Sequence, residues 1–547
     1  MKHFINDRSS IVTEALDLEV MLAGGALARL DGYPAIKVVL RADWDKSEVA
    51  IVSGGGAGHE PAHAGFVGDG LLTAAVCGEI FASPSVDAVL AGILAVTGAA
   101  GCLLIVKNYT GDRLNFGLAA EKARALGLAV EMVIVADDIA IADAPRPRGV
   151  AGTLFVHKVA GHAARAGATL TEVKAAAERA AKSVRSLGMS FTSCTIPGQI
   201  SENRIGPHEL ELGLGIHGEP GAEKIAIGPM HELAAILAVR IDAALGDTRG
   251  PTALLVNDLG GVPSIEMAVA THSLLTAFAV AKRDVTVVLG PGRLMTSLDM
   301  KGLSVSALPL DAELESALLA PVGPSAWPRA RRVTKVAPVP IPAQVASRAH
   351  VPSANPARRR VVENVCATLI AHEAELDALD AKVGDGDTGS TFATAARAVL
   401  ADVERLPFAD PAALCAAIAD RLSKVMGGSS GILLSIGVAA MGAAAGDPPS
   451  WPRALREGLR RIQEYGGASL GDRTMLDALV PAVVALENGE GPKAAGAAAR
   501  RGANATAAMA TARAGRSSYV PESALRGVPD PGAVAMAAVF EGLISLG

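Results

Sequence analysis

Three carboxylates fall within eight positions of one another in Leu379-Asp-Ala-Lys-Val-Gly-Asp-Gly-Asp-Thr-Gly-Ser-Thr391: Asp380, Asp385 and Asp387, with Gly384, Gly386 and Gly389 between and after them. Charges so crowded repel one another unless a cation sits among them. Hard divalent cations such as Mg²⁺ take oxygen ligands, often one or two carboxylates together with substrate phosphates. The glycines allow tight turns, and Thr388-Gly389-Ser390-Thr391 would open a helix whose free N–H groups suit a phosphate. An EF-hand calcium loop is excluded, because the Glu it needs at its twelfth position, counted from Asp385, falls on Ala396. The stretch reads as a metal–nucleotide site, against the plainer alternative of a solvated acidic turn.

A second group of chemical residues lies in the N-terminal half. Ile51-Val-Ser-Gly-Gly-Gly-Ala-Gly-His-Glu-Pro-Ala-His63 sets a Gly-rich turn directly after an apolar strand. The dinucleotide fingerprint G-x-G-x-x-G fails, since after Gly54 and Gly56 the third position is His59, and no G-x-x-x-x-G-K-[ST] is present. The glycines would bring backbone donors close to a small polar ligand with His59 at its edge; a purely structural turn is the alternative. Lys107 and Asp112 follow the apolar run Cys102–Val106. In open α/β sheets ligands gather at the carboxyl ends of strands. Asp112 there could accept a hydroxyl proton, or either residue could form a surface ion pair. His217 sits among glycines in Glu211-Leu-Gly-Leu-Gly-Ile-His-Gly-Glu-Pro-Gly221. It could be a ligand, a base or a nucleophile toward a carbonyl, or a buried, hydrogen-bonded histidine.

The elements that must position these residues differ between the two halves. Residues 1–328 alternate Val/Ile/Leu runs with Ala-rich amphipathic stretches, with strands expected at Val49–Val52, Cys102–Val106, Glu131–Val135, Thr252–Val256 and Val285–Leu289. This predicts α/β architecture with buried sheets in two lobes, the second starting near residue 190. Arg329–His350 lacks acidic residues and alternates Pro338, Pro340 and Pro342 with apolar side chains. It predicts an extended linker of at most roughly 68 Å at about 3.1 Å per residue. Residues 351–547 are rich in Ala, Leu, Arg and Glu and predict a helical domain. In it Met426-Gly-Gly-Ser-Ser-Gly431 offers small residues and hydroxyls ahead of an apolar helix, and Tyr465–Met475 and Gly515-Arg-Ser-Ser-Tyr519, followed by Pro529-Asp-Pro-Gly532, look like loops capping a ligand.

At 547 residues the chain is long enough for at least two domains. Its net charge of −6 and 3% aromatic content offer no basic, aromatic-interleaved patch for nucleic acid. The uncharged run Ala88–Val106 contains Gly92, Gly98 and Gly101 and splits into helix, turn and strand, which argues against a membrane span. No signal-peptide pattern opens the chain. Cys77, Cys102, Cys194, Cys366 and Cys415 form no C-x-x-C pair, as expected of a reduced, cytoplasmic protein.

Taken together, the strings GGGAGHEPAHAGFVGDG, SPSVDAV, CLLIVKNYTGDRLNFGLAAEKAR, GIHGEPG, LDMKG, LDAKVGDGDTGST, MGGSSG, GDRTM and DPGA, in this order along the whole chain, resemble the ATP-dependent single-chain dihydroxyacetone kinases. The resemblance implies a two-lobed α/β triose domain and an all-α antiparallel helical-barrel domain that binds Mg–ATP. It implies that His217 bonds the substrate ketone as a hemiaminal, that Asp112 takes the proton of the phosphorylated hydroxyl, and that His59 is its hydrogen-bonding companion. Gly56, Ala57, Gly58 and Lys107 would line the substrate pocket, and Asp380, Asp385 and Asp387 would hold two Mg²⁺ ions. Thr388, Gly389, Ser390, Thr391, Ser429, Ser430, Gly466, Met475, Arg516, Asp530, Pro531 and Gly532 would contact ATP. Ala57 departs from the family, in which many members carry Ser; the backbone N–H remains.

Other readings stay open at this point. They are a phosphotransfer-system component with fixed ADP, a sugar-sensing module that keeps His217 without chemistry, and the same chemistry on erythrulose or glyceraldehyde, with FAD cyclisation as a side activity in some relatives. The long linker favours a homodimer in which each nucleotide domain serves the other subunit's triose domain.

Overall fold

The computed structural model of the protein describes residues 3–141, 144–199, 204–342, 345 and 350–546, without the side chains of residues 516–517. It divides into two compact units, Met1–Ala337 and Pro338–Gly547.

The first unit is built on two sheets. The first contains β1 (Leu27–Arg29), β2 (Val38–Arg41), β3 (Ala50–Ala57), β4 (Ala74–Ile80), β5 (Cys102–Lys107) and β6 (Val130–Val135), in the order β1-β2-β4-β3-β5-β6. Strands β4, β3, β5 and β6 run parallel, and β1 and β2 add an antiparallel edge. The second contains β7 (Arg185–Ser190), β8 (Glu209–Leu212), β9 (Glu223–Ala226), β10 (Pro251–Asp258), β11 (Asp284–Gly292), β12 (Gly302–Pro309) and β13 (Arg331–Arg332). Its order is β13-β11-β10-β12-β7-β8-β9, with only β10 and β11 parallel. The second lobe's sheet thus begins at Arg185, a few residues before the expected division. All five strands expected from sequence are present and longer than expected, although β3 begins at Ala50 and leaves Val49 outside.

Continuous apolar runs such as Cys102-Leu-Leu-Ile-Val106 suit strands covered on both faces, and that is what they meet. Helix Thr153–Arg165, buried along nearly its whole length, supplies Leu154, Phe155 and Val159 to a core shared by Ile51 and Leu103 of the first sheet and Leu255 and Val287 of the second. The outer face of the first sheet is covered by helices Val86–Val96 and Thr110–Ala125, and that of the second by Met230–Leu245 and Ser264–Val280. Each fully buried Leu, Ile or Phe in these layers contributes about 1.5–3 kcal/mol. The uncharged run resolves as helix Val86–Val96, a turn and β5, the helix capped by the Ser85 hydroxyl, which accepts the Ala88 N–H. Among the described residues, no helix is long and apolar enough to cross a membrane.

Two expectations change. Gly54, Gly55 and Gly56 are the last turns of the pleat in β3, not a loop after it. The reason is the neighbouring strand: a Cβ on Gly54 would sit 2.0 Å from the Val76 carbonyl oxygen. Arg331 and Arg332, read as linker, pair with Val288 and Val287 as an edge strand, so the first unit continues past residue 328. Residues 343–344 and 346–349 of the expected linker, Arg348 among them, lie outside the described residues.

The second unit is all helical. Helices Pro356–Ala371, Thr388–Ala401, Pro411–Val425, Gly428–Ala444, Trp451–Gly466, Leu476–Glu487, Gly491–Ala505 and Pro531–Leu543 each pack on the next, and the last packs back on the first, closing an antiparallel barrel. Pro sits in the first turn of several of them, where its missing N–H costs nothing.

Candidate active site

Four segments of the first unit converge at the carboxyl end of its parallel strands. β3 and β5 are parallel neighbours, so the glycines of β3 lie beside Lys107 at the end of β5. Lys107 is 1% exposed, with Nζ 3.3 Å from the Gly54 carbonyl and 2.7 Å from His63 Nε2. Asp112 occupies the first turn of helix Thr110–Ala125 and is 3% exposed. Its Oδ1 accepts the Ser83 hydroxyl. The other oxygen faces the glycines: a Cβ on Gly55 would lie 2.7 Å from Lys107 Nζ and 3.5 Å from Asp112 Oδ2. Gly55 also has φ +144°, so a side chain is excluded there on both counts. Burial lowers the pKa of Lys107, and the Asp112 carboxylate opposes that shift.

His217 completes the group. It lies between Gly213 and Gly218, whose φ values of +77° and +79° bend the segment over the end of the sheet. Its ring is surrounded by Tyr109, His59 and Phe81, at centroid distances of 4.5, 5.0 and 5.2 Å. Glu219 holds it from behind, with Oε1 3.1 Å from Nδ1 and Oε2 accepting the His217 backbone N–H at 3.0 Å. A carboxylate can only accept, so Nδ1 carries the proton and the Nε2 lone pair is left for a ligand. Burial pushes the Glu219 carboxyl up, but the hydrogen bonds from His217 outweigh it and hold the pKa below its ordinary value.

His59 donates from Nδ1 to the Thr296 carbonyl at 2.7 Å, and its buried Nε2 has no protein partner. Burial first, then the charges of Lys107 and His217, keep its pKa well below the usual imidazole range. It is therefore a neutral acceptor facing the site. Among the described residues Asp112 Oδ1 accepts from Ser83, while His59, whose Nδ1–H goes to Thr296, keeps only a lone pair at Nε2 and has no proton to donate to the Asp112 carboxylate. Gly58 belongs to the turn itself: its N–H donates to the Glu60 carboxylate and its carbonyl accepts the Leu298 N–H. The Ala57 carbonyl accepts the Phe81 N–H, and Gly56 passes so close to the next segment that a Cβ would lie 2.7 Å from the Ala82 nitrogen.

In the second unit, one carboxylate oxygen each from Asp380, Asp385 and Asp387 lies within 4.8 Å of the others. Asp380 is buried at the end of helix Glu373–Asp380, while Asp385 and Asp387 are exposed. Such a set fits a hard cation that shares its shell with phosphate oxygens. The turn needs Gly384, where a Cβ would meet Asp380 Oδ1 at 2.3 Å. The helix N-terminus is less free than its sequence suggests. Asp380 Oδ2 accepts the N–H groups of Gly386, Asp387 and Thr388, and Asp377 takes both the N–H and the hydroxyl of Ser390. Thr391 N–H makes the first intrahelical bond, to the Asp387 carbonyl.

The other expected nucleotide loops gather around the same core. Met426, Phe392, Met475 and Ala533 share one apolar cluster. A Cβ on Gly532 would lie 3.2 Å from Asp530 Oδ1 and 3.5 Å from the Met475 Cβ, which brings Met475 and Asp530-Pro531-Gly532 together. Burial raises the Asp530 carboxyl to about 6, with Asp477 and Asp380 adding to the shift. Ser429 and Ser430 stand exposed in the first turn of Gly428–Ala444, inside the helix and not ahead of it. Gly466 ends Trp451–Gly466. A cavity of about 340 Å³ opens by the adjoining loop, lined by Leu470, Asp477, Arg501 and Met509 among others. The side chain of Arg516 lies outside the described residues.

This geometry can be set beside known proteins. The Dak1 domain matches residues 25–326 and the DAK2 domain residues 382–545. A dihydroxyacetone kinase of Citrobacter freundii is 48% identical, over 99% of this chain and 98% of its own. The chain belongs to the dihydroxyacetone kinase family. Within that family a triokinase/FMN cyclase of Bos taurus is 38% identical, over 100% of this chain and 98% of its own. The crystal structure of the C. freundii dihydroxyacetone kinase in complex with AMP-PNP and Mg²⁺ matches with a TM-score of 0.81 at 46% identity, covering 100% of this chain and 99% of that one. Sequence reasoning missed Ser83, Glu219, Thr296 and His63 as partners in the site. Glu219, two positions from His217, and His63, four positions from His59, could have been suspected from spacing.

Proposed function

We propose that this kinase transfers the γ-phosphoryl group of ATP to a hydroxyl of dihydroxyacetone, with the ketone held covalently on His217. The observation that carries this reading is the division of the His217 ring: Glu219 takes the Nδ1 side, which leaves Nε2 as the uncommitted nitrogen of a ring packed among Tyr109, His59 and Phe81. The Nε2 lone pair attacks the carbonyl carbon, a C–N bond forms, and the carbonyl π electrons pass to oxygen. That oxygen takes a proton from solvent water, and the imidazolium returns its Nδ1 proton to solvent by way of Glu219, so one proton is gained and one is lost. The hemiaminal is neutral and reversible.

A three-carbon substrate has little surface with which to bind. A bond to its carbonyl fixes it and rejects glycerol, which has none. Lys107 and Asp112 then address its hydroxyl: the ammonium orients the oxygen, and Asp112 Oδ2, the oxygen not bonded to Ser83, accepts the proton as the hydroxyl attacks phosphorus. His59 Nε2 accepts from a second substrate hydroxyl. Asp380, Asp385 and Asp387 would hold Mg²⁺, which supplies charge neutralisation to the ATP phosphates. Thr388–Thr391, Ser429, Ser430, Gly466, Met475, Arg516 and Asp530–Gly532 are assigned to ATP on the family pattern.

A coupled assay for ADP release with Mg–ATP tests the reading, using dihydroxyacetone, D- and L-erythrulose, glyceraldehyde and glycerol. Turnover on dihydroxyacetone and none on glycerol is expected. Folded protein without turnover on any short ketose or aldose would end the proposal, and preference for erythrulose would shift the substrate while keeping the chemistry. ADP that survives gel filtration would favour the phosphotransfer-type alternative. We further propose, from the length of the Pro-rich stretch before residue 350, a homodimer whose sites are completed between chains. Mixing an inactive His217→Ala/Asp112→Asn chain with an inactive Asp385→Ala chain should then recover activity; a fully active monomer by light scattering would exclude it.

A further inference from the structure

Lys107 of the proposed triose site is backed by a buried relay of side chains, His63, His157 and Ser53, that the mechanism above does not use. His63 Nε2 is 2.7 Å from Lys107 Nζ, and His63 is 3% exposed. The His63 ring meets the His157 ring edge-on, with centroids 5.2 Å apart. His157 is fully buried, with Nε2 3.0 Å from Ser53 Oγ. Ser53 donates its own proton to the Ile105 carbonyl at 2.7 Å. Ser53 Oγ must then accept from His157 Nε2–H, which fixes the His157 tautomer and ring plane. His157 in turn buttresses His63. Each residue comes from a different place: β3, the turn after it, the end of β5 and the central helix Thr153–Arg165.

The proton placement between Lys107 and His63 follows from charge. Asp112 stands beside Lys107 and favours the ammonium form. Burial, followed by the charge of Lys107, keeps His63 well below the usual imidazole range. His157 is likewise pushed down to about 3 by burial and by Lys107. A neutral imidazole can accept from an ammonium, and an ammonium has three donors. One goes to His63 Nε2 and one to the Gly54 carbonyl. The third is left on the side of Gly55, where Asp112 Oδ2 also stands.

We infer that His63 is a positioning residue for phosphoryl transfer, holding the Lys107 ammonium so that its third N–H meets the substrate hydroxyl beside Asp112. This rests on the reading of Lys107 and Asp112 given above. His63 touches neither reactant; it acts only through Lys107. It also lines a cavity of about 120 Å³ with Gly55, Gly56 and Cys77. Truncating His63 would enlarge that space, admit water to the ammonium and let the lysine tip wander. Misplacement by about 1 Å can cost on the order of 100-fold in rate. The carbonyl bond on His217 is made by other residues and should survive.

The test compares His63→Ala, His63→Gln, Lys107→Met and the His63→Ala/Lys107→Met double variant. For His63→Ala we expect kcat to fall about 10- to 100-fold with KM for dihydroxyacetone changed less than about threefold. His63→Gln, which keeps a neutral acceptor, should recover at least half of the loss on a logarithmic scale. In the double variant the two losses should overlap, because His63 has nothing to position once the ammonium is gone. Multiplied losses would overturn the inference, as would a His63→Ala variant with unchanged kcat and lowered thermal stability only. If the Ala variants fail to fold, the decision passes to His63→Gln against His63→Leu, where equal kcat in both refutes the role. Covalent capture of the ketone on His217 is measured separately by ¹³C NMR in the same variants. Loss of capture in the wild type would refute the underlying reading, whereas intact capture with no His63 effect on kcat would refute only this inference.

Discussion

Replacing Glu219 is the sharpest perturbation of the carbonyl trap, because this residue sets the His217 tautomer without reaching the substrate. Its carboxylate makes two bonds to His217, at 3.1 Å to Nδ1 and 3.0 Å to the backbone N–H. A hydrogen bond involving a charged group is worth about 1.5–3 kcal/mol. At about 1.36 kcal/mol per factor of ten, loss of the Nδ1 bond weakens the adduct by roughly 10- to 150-fold. Glu219→Ala should therefore raise KM for dihydroxyacetone, and the dissociation constant of the adduct, within that range, while kcat at saturation falls far less. Glu219→Gln keeps an acceptor but loses its charge. Charge-assisted bonds are roughly twice as strong as neutral ones, so the loss halves to about 3- to 12-fold. Because His217 holds the Glu219 carboxyl below its ordinary 4.5 against the pull of burial, its help is complete above that value and fades as pH falls through the lower folded-state pKa. The Gln variant should lack this acid limb in the pH dependence of kcat/KM. Coupled ADP-release kinetics and ketone titrations check both. An unchanged KM with a collapsed kcat, or Ala and Gln variants both within twofold of wild type, would refute the assignment of Glu219 as the group that sets the tautomer.

Other consequences follow from the division of labour. Asp385→Ala and Asp387→Ala should each abolish turnover yet leave ketone capture on His217 intact, and a near-normal rate in either would remove them from the metal site. Asp112→Asn should lower kcat about 10²- to 10⁴-fold, the range for a positioned base. Ser83→Ala, which removes one bond to the Asp112 carboxylate, should cost roughly tenfold, about 1.5 kcal/mol. Asp137 is fully buried and accepts the N–H groups of Val150 and Gly152 and the Ser186 hydroxyl. Burial raises its carboxyl from 3.8 to about 6, with those bonds opposing. A raised acid pKa means that the native state binds more protons than the unfolded chain between these values, so stability falls as pH rises through the window, by about 3 kcal/mol at most. Asp137→Asn should flatten that dependence, measured as the difference in thermal midpoint between pH 4.5 and pH 7.5. An unaltered difference would contradict the shift.

The strands, the helical C-terminal half and the aspartate loop were legible because each is a local signal. Cys102-Leu-Leu-Ile-Val106 is a continuous apolar run, and Asp380, Asp385 and Asp387 are close in sequence before they are close in space. What escaped depends on chain topology. Ser83 meets Asp112 across 29 positions and Thr296 meets His59 across 237, so no spacing announces either pair. The glycines of β3 were read as a turn because glycine is ambiguous between a tight turn and a close approach. The Val76 carbonyl, known only from the sheet register, decides for the latter. The engaged N–H groups at Thr388 and Ser390 escaped for a similar reason. Thr388 donates to Asp380, a carboxylate read as a metal ligand alone, and the acceptor of Ser390, Asp377, lies one helical turn before Asp380, outside the motif itself.

The central claim is that the ketone is held as a covalent adduct on Nε2 of His217. Its most direct measurement is ¹³C NMR of [2-¹³C]dihydroxyacetone bound to protein carrying ¹⁵N-labelled histidine. The account predicts that the carbonyl resonance is lost on binding, that a tetrahedral carbon coupled to one imidazole nitrogen replaces it, and that His217→Ala abolishes the new signal. An unreacted carbonyl in the saturated complex, or a tetrahedral signal that persists in His217→Ala, would contradict it.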